Sequence, residues 1–228
     1  MNTSLKSVPQ YLETILNFHE NASEGDFIFR GHSSMTYKLI PKIGRTQDSL
    51  EIVKLREVQS FNEFKRLYGR FYHKSLSRDM DILMLSQHYG LPTRLLDWTF
   101  DPLVALYFAC RSNYNEDGEV LIKLLPDPKA LLEEKNDISP FELVCNTFIM
   151  PESFETRFIN QNGLFEIYAN PLEESNLLSC YSIYIDRNSK TSILNQLSML
   201  RYTLVDIYPT LDNLCKVIET KYKKINTF

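Results

Sequence analysis

Glycine is scarce in this chain of 228 residues, and the spacing of its seven glycines limits the folds and phosphate sites that it can form. A dinucleotide-binding turn needs the pattern G-x-G-x-x-G, a phosphate loop needs G-x-x-x-x-G-K, and a nucleophile elbow needs G-x-S-x-G. None of these patterns can be written with glycines at positions 25, 31, 44, 69, 90, 118 and 163. The sequence therefore predicts that any bound phosphate is held by side chains or by a helix N-terminus.

The size and composition of the chain are those of one globular domain. Hydrophobic residues make up 43% and charged residues 24%, far from a disordered composition. The net charge of −4 argues against non-specific binding of nucleic acid, which needs a basic face. The longest apolar run, Leu103 to Cys110, is too short to span a membrane, and the N-terminus has no signal-peptide pattern. We therefore expect a cytoplasmic protein with no membrane partner.

The four cysteines show no spacing typical of a zinc or redox site, and their flanking residues share no motif. All four lie among apolar residues, which favours buried, reduced thiols. We therefore expect no metal in this protein. The cysteines stand at positions 110, 145, 180 and 215.

Hydrophobic periodicity and turn residues predict an α+β chain. Helices are expected over residues 8–20, 49–68, 79–88, 103–111, 189–202 and 211–224. Asp79 is expected to cap the third of these helices, and Gly90 to follow its end. Strands are expected over residues 27–31, 119–125, 144–150 and 179–185, with a strand or extended loop over 94–99. In the last helix four apolar residues are expected to face inward: Leu211, Leu214, Ile218 and Tyr222. No linker divides the chain, so we predict a single domain.

The densest group of unusual residues is the segment QHYGLPTRLLDWT, residues 87–99. Polar groups and turn formers alternate there with apolar residues, and each buried polar group would need a partner. One interpretation is structural: an Arg94–Asp97 pair fixes a turn, and Trp98 belongs to the core. The other is functional: the segment forms a pocket wall, where Arg94 or His88 meets an anionic ligand.

Two further segments mix charged, amide and aromatic residues around a lone glycine. In Phe29-Arg30-Gly31-His32, a strand ends on an arginine that could grip a phosphate or carboxylate with two hydrogen bonds. The alternative is a surface arginine paired with an acidic neighbour, and a lone His32 is more often structural than a ligand. The third segment is residues 155–166, which surrounds Gly163.

These three segments resemble the FRG-domain family, named for the tripeptide that stands here as Phe29, Arg30 and Gly31. The resemblance continues through Leu39, Pro41 and Arg45, and it is strongest over residues 87–109. The Gln161-x-Gly163-x-Phe165 pattern and residues 208–214 also resemble the family. The resemblance implies one FRG domain over residues 1–228: an N-terminal helical extension at 1–25, a family core at 27–214 and a C-terminal helix at 211–225.

The motif order in this family is similar to that of ADP-ribosyltransferases, which implies a related fold and NAD as the substrate. By that likeness Arg30 grips an NAD phosphate or ribose, Thr99 supports the nicotinamide side, and a residue within 161–166 faces the reacting ribose carbon. The resemblance also implies a bacterial or phage toxin or defence effector. The remaining cofactor-binding residues implied are Gly31, His32, His88, Tyr89, Thr93, Arg94 and Asp97.

The carboxylate that this chemistry needs has several candidates in the sequence. Gln161 stands at the expected position, but an amide cannot act as a base. Glu155 and Glu166 flank it, and Asp97 is a further candidate unless it pairs with Arg94. If none of them acts, the chain is a non-catalytic module that senses a nucleotide or phosphate. A nucleic-acid modifier is a third interpretation, and it requires four arginines to converge on one face: Arg30, Arg45, Arg94 and Arg157.

Overall fold

A computed structural model describes residues 5–22, 25–125, 138–151, 160–175 and 180–223 of the chain. Over these ranges the structure contains one six-stranded antiparallel sheet and seven α-helices, which confirms the predicted α+β class with an antiparallel sheet. The strands are β1 (Phe27–His32), β2 (Leu95–Thr99), β3 (Gly118–Leu124), β4 (Thr147–Ile149), β5 (Gly163–Ile167) and β6 (Cys180–Ile185).

The strand order in the sheet is β4-β5-β2-β1-β3-β6, so β1 and β2 lie at its centre. Strand β1 pairs with β3 over its whole length, from Phe27 opposite Leu124 to His32 opposite Glu119. Its ladder with β2 consists of a single residue pair, Phe29 opposite Thr99. The two central strands therefore diverge beyond this pair.

The helices fall close to the predicted ranges: α1 (Val8–Asn21), α2 (Leu50–Leu67), α3 (Asp79–His88), α4 (Pro102–Cys110), α5 (Lys190–Met199), α6 (Leu204–Ile207) and α7 (Leu211–Lys223). Asp79 is the first residue of α3 and not its cap, because the cap position is taken by Arg78. Gly90 follows the helix with φ +97°, a conformation that glycine adopts without steric cost. The side chain of Asp101 caps α4 by accepting from the N–H groups of Leu103 and Val104.

Helix α4 packs directly onto the centre of the sheet, and a glycine makes that approach possible. A Cβ atom on Gly31 would lie 1.9 Å from the carbonyl oxygen of Ala105, so no larger residue fits there unless the helix moves. Phe29, Val104 and Val120 belong to the apolar core that surrounds this contact. The glycine of the Phe-Arg-Gly tripeptide thus sets the distance between α4 and β1.

Two other apolar clusters complete the core. One joins α2 and α3 to strands β2 and β5 through Phe61, Leu83, Leu95 and Phe165. The other contains Trp98, which is 2% exposed, so the expectation that this residue belongs to the core is confirmed. None of the helices in the described ranges is long and apolar enough to cross a membrane.

Two expectations about exposure are wrong, and one strand was not predicted. The four apolar residues predicted to face inward on α7 are exposed, because this helix has no buried residue in the described structure. Of the four cysteines, Cys110 is buried, but Cys145 and Cys215 are exposed, since a flanking apolar run does not fix which way a side chain points. The apolar alternation also left strand β5 out, because its burial is continuous from Leu164 to Ile167 and not alternating.

Candidate functional site

The divergence of β1 and β2 opens a cleft of about 150 Å³ in the middle of the sheet, beside α4. A guanidinium occupies the gap between the strands, since Nη1 of Arg30 donates to the main-chain oxygen of Asp97 at 2.5 Å. The side chain thus takes the place of the next main-chain hydrogen bond between β1 and β2. The cleft is lined by Phe29, Arg30, Gly31, Asp97, Trp98, Thr99, Val104, Ala105, Phe108, Gln161 and Tyr208.

Arg30 is fixed at one end and has donors left at the other. Its Nε donates to Nε2 of His32 at 3.1 Å, and its side chain is only 15% exposed. Within the described part of the chain, Nη2 donates to no protein acceptor. Burial lowers the pKa of Arg30, and Asp97 opposes that effect. A guanidinium stays charged in proteins, so the cleft holds a partly desolvated cation with free hydrogen-bond donors.

His32 is a buried neighbour of Arg30 and holds its guanidinium in place. Its Nε2 accepts from Arg30, so the ring proton resides on Nδ1, which lies 3.1 Å from Oε1 of Glu119. Burial lowers the pKa of His32, although the hydrogen bond to Glu119 acts in the opposite direction. Glu119, neutral His32 and Arg30 therefore form a hydrogen-bonded chain that orients the guanidinium. His32 is not among the residues that line the cleft.

Asp97 places a carboxylate at the cleft, with a side chain that is 59% exposed. Its Oδ2 lies 4.0 Å from Nη1 of Arg30, and its Oδ1 accepts from Nε2 of Gln87 at 3.0 Å. The predicted Arg94–Asp97 pair is wrong, because these residues are separated by extended chain that spans about 10 Å over three residues. Arg94 binds Glu57 of α2 instead, with two bonds to Oε2 at 2.7 and 2.9 Å. Both partners are 1% exposed, and Asp97 is left to face the cleft.

Thr99 and Gln161 close the cleft on the side of β5. The hydroxyl of Thr99 donates to the main-chain oxygen of Gln161 at 2.6 Å and accepts from the N–H of Asp101 at 2.9 Å. The amide of Gln161 donates to the main-chain oxygen of Ile207 at 3.2 Å. Thr99 therefore anchors the chain that carries Gln161, and Gln161 holds the last residue of α6.

Two aromatic rings that sequence reasoning missed form the remaining wall. Phe108 and Tyr208 meet edge to face with centroids 6.0 Å apart, and Arg111 lies over both rings at 5.5 and 5.0 Å. The resemblance covered Tyr208 within residues 208–214 but gave it no role. For Phe108 the available signal was its place on the helix that follows the capping aspartate.

Glu166 is buried and fully engaged in hydrogen bonds outside the cleft. It is 2% exposed, and its oxygens accept from Nζ of Lys123 at 2.9 Å, Nε1 of Trp98 at 3.0 Å and the hydroxyl of Ser175 at 3.2 Å. It does not line the cleft, so its predicted catalytic role stays a prediction. Glu155 lies outside the described residues.

The remaining predicted residues are spread over three places. His88 lines a small adjoining cavity together with Asp97, Trp98 and Gln161. Thr93 is buried and donates to Oε1 of Gln87, and Tyr89 is exposed beside α3. The convergence of arginines required for a nucleic-acid modifier fails at Arg94, which is buried against Glu57, and Arg157 lies outside the described residues. In the described ranges no three His, Cys, Asp or Glu side chains are grouped as a metal site would require.

Part of the chain that forms the cleft matches a known protein family. Residues 25–118 match the family model of the FRG domain, which confirms the resemblance seen in the sequence and covers both Arg30 and Asp97. No curated protein and no solved structure matches the chain. The likeness of the fold to ADP-ribosyltransferases therefore stays a prediction, as do the family motifs beyond residue 118.

Proposed function

We propose, from the match of residues 25–118 to the FRG domain, that this chain is an ADP-ribosyltransferase-like enzyme that binds NAD and cleaves its nicotinamide–ribose bond. One observation carries the proposal: the guanidinium of Arg30 and the exposed carboxylate of Asp97 face the same cleft, 4.0 Å apart at Nη1 and Oδ2. A cation for the phosphates and an anion for the sugar are the two charges that this reaction needs.

Each charge has a defined task. When the C–N bond to nicotinamide breaks, its electron pair stays with the leaving ring, and positive charge develops on the ribose. A carboxylate aimed at that carbon stabilises the transition state more than the ground state. We assign this task to Asp97, which can also take the proton of the water or acceptor that attacks the ribose. Arg30 binds the phosphate with its remaining donors, at about 1.5–3 kcal/mol for each hydrogen bond to a charged group.

The dimensions of the cleft favour one part of the dinucleotide. Its volume of about 150 Å³ is below that of ordinary ligand pockets, which hold about 300–1,000 Å³. We therefore place the nicotinamide ribose in the cleft, with the nicotinamide ring against Phe108 and Tyr208. The adenosine half must then extend beyond the cleft.

A second candidate function rests on the state of Glu166 and Gln161. The first is buried with three hydrogen-bond donors, and the second is an amide, so the segment in which the resemblance implies a catalytic residue supplies no free carboxylate. The alternative is a module that binds a nucleotide without cleaving it and reports its presence to a partner. Intact recovery of bound NAD would distinguish this function from the first.

The test is incubation of the purified protein with NAD while nicotinamide release and the melting temperature are followed. We expect release by the wild type and loss of release in Arg30→Ala, with a cooperative melt retained. The control is Arg66→Ala, which removes an arginine that is 69% exposed on α2 and should leave release unchanged. A melting temperature raised by NAD without any release selects the sensing module. If NAD causes neither nicotinamide release nor a shift in the melting temperature, both functions are contradicted.

We further propose that the enzyme acts in the cytoplasm as a toxin or defence effector that consumes NAD or modifies an acceptor. The expected result is growth arrest on expression of the wild type, with a fall in cellular NAD if the ADP-ribose is released to water. Expression of Arg30→Ala to the same level should not arrest growth. Equal toxicity of the two proteins would contradict this role.

A further inference from the structure

A second groove, of about 450 Å³, lies beside the cleft and has no assigned role. Its lining includes Tyr37, Lys38, Ile40, Arg45 and Gln47. We propose that this groove binds the adenosine diphosphate half of the substrate, with a phosphate between Arg30 and Arg45 and the adenine on Tyr37. The inference rests on the proposed function, because it assigns the second half of the same ligand.

The groove and the cleft are connected by a row of side-chain contacts. Arg30 of the cleft donates to His32 at 3.1 Å, and the ring of His32 meets the ring of Tyr37 edge to face at 6.0 Å. Tyr37 belongs to the groove lining. Arg30 of the cleft and Tyr37 of the groove are thus joined through one intervening side chain, His32.

The charges in the groove suit a phosphate. Arg45 is exposed, and its Nε donates to the main-chain oxygen of Ile40 at 3.0 Å, which fixes the start of the guanidinium and leaves its Nη atoms available. Its charge is felt at Arg30 and at His32, where it lowers the pKa of both groups. An anion that binds both guanidinium groups would form charge-assisted hydrogen bonds with each of them. Lys38 adds less, since Glu174 lies 3.8 Å from its Nζ.

Tyr37 offers a fixed aromatic platform. Its hydroxyl accepts from Nδ2 of Asn113 at 2.6 Å, and its ring contacts His32, yet the residue is 47% exposed. A ring held at two points and half open to solvent loses little conformational freedom when a base stacks on it. Such stacking contributes about 1–3 kcal/mol per base, whatever the base.

The volumes of the two cavities agree with a divided site. The cleft is too small for a dinucleotide, whereas the groove lies within the range of about 300–1,000 Å³ that is typical of ligand pockets. The chain has no glycine-rich loop, so phosphates must be held by side chains or by a helix N-terminus, and Arg30 and Arg45 supply two guanidinium groups for this purpose.

The experiment measures the binding of ADP to the full chain by calorimetry. ADP is the probe because it lacks the nicotinamide ribose and cannot be cleaved there. We expect Arg45→Ala and Tyr37→Ala each to weaken binding by at least about tenfold, and Tyr37→Phe to retain most of it. Gln47→Glu adds a negative charge at an exposed lining position without changing the size of the side chain, and it should also weaken binding. Arg66→Ala is the matched control and should bind ADP as the wild type does.

Thermal melts of every variant establish folding, and Gln47→Glu remains informative if Arg45→Ala does not fold. Binding of ADP that is unchanged in folded Arg45→Ala and Tyr37→Ala overturns the inference, and so does the absence of ADP binding by the wild type. Nicotinamide release whose KM for NAD is insensitive to both substitutions overturns the groove but leaves the proposed enzyme standing. ADP binding that depends on both residues, in a protein that releases no nicotinamide, supports the groove and contradicts the enzyme.

Discussion

Replacing Gly31 by alanine is expected to damage both the stability of the protein and its cleft. The added Cβ would lie 1.9 Å from the main-chain oxygen of Ala105 and 2.7 Å from the main-chain nitrogen of Ala109. Real Cβ atoms essentially never approach closer than 3.0 Å, and both obstacles belong to the backbone of α4 and cannot rotate away. The helix must therefore move outward by about 1 Å or more, or the strand must bend.

The loss of stability in Gly31→Ala can be estimated from this geometry. Overpacking a well-packed core costs about 1–3 kcal/mol, and occasionally more. We expect the upper end of that range, near 3 kcal/mol, because the clash involves two main-chain atoms and no flexible side chain. The same movement displaces Val104, Ala105 and Phe108, which line the cleft. Ligand binding in the cleft should therefore weaken even under conditions in which the variant remains folded.

Urea unfolding of the wild type, Gly31→Ala and Gly69→Ala measures this effect. Gly69 is the matched control, since a Cβ there would meet nothing within 4 Å and its φ is not positive. A glycine-to-alanine change at such a site is neutral or stabilises by up to about 1 kcal/mol through the unfolded chain. Equal free energies of unfolding for Gly31→Ala and Gly69→Ala would refute the close approach of α4 to β1.

Three further predictions concern buried groups. Glu57→Ala leaves the charge of Arg94 buried without its acid and should lower the free energy of unfolding in urea by about 3–5 kcal/mol. A double variant with Arg94→Met should recover part of that loss, and full stability of the single variant would contradict the ion pair. Because the pKa of His32 is lowered in the folded state, the unfolded chain binds more protons below about pH 6.5, so stability should be present above that pH and fall as the pH drops. His32→Gln should lack this part of the pH dependence, and a pH profile parallel to that of the wild type would refute it. Burial raises the pKa of Cys110 to about 12, so a thiol reagent at neutral pH should label it only after unfolding. Rapid labelling of Cys110 in the native protein would contradict its burial, and the thiols expected to react first are Cys145 and Cys215.

The elements of the fold were largely predictable because local signals determine them. Apolar periodicity with a capping residue placed α1, α2 and α4, and Gly90 marked the end of α3. Strand β5 was not predicted, because a strand buried on both faces shows no alternation of apolar and polar residues. The exposure of α7 was not predicted, because its amphipathic pattern indicates that one face is apolar but does not show what covers that face.

The candidate site was predictable in its residue types and not in its pairings. Arg30 and Asp97 stand out by sequence, yet the partner of Arg94 is Glu57, which lies 37 positions away and carries no local signal. The sequence could not decide between Asp97 and Glu166 as the free carboxylate for the same reason. Lys123 and Trp98 come to Glu166 from distant positions, because β2 and β3 lie in the same sheet as β5. Long-range pairing, and not local pattern, decides which acid is available.

The most direct test of the proposed mechanism is the separation of kcat from KM for nicotinamide release in Asp97→Asn. The substitution keeps the shape of a side chain that is 59% exposed and removes its charge, so the protein should fold normally. If Asp97 stabilises the charge that develops on the ribose, kcat should fall by about 100-fold or more while KM for NAD changes little. Release by Asp97→Asn at the rate of the wild type would show that another group supplies the carboxylate, and the assignment of Asp97 would be wrong.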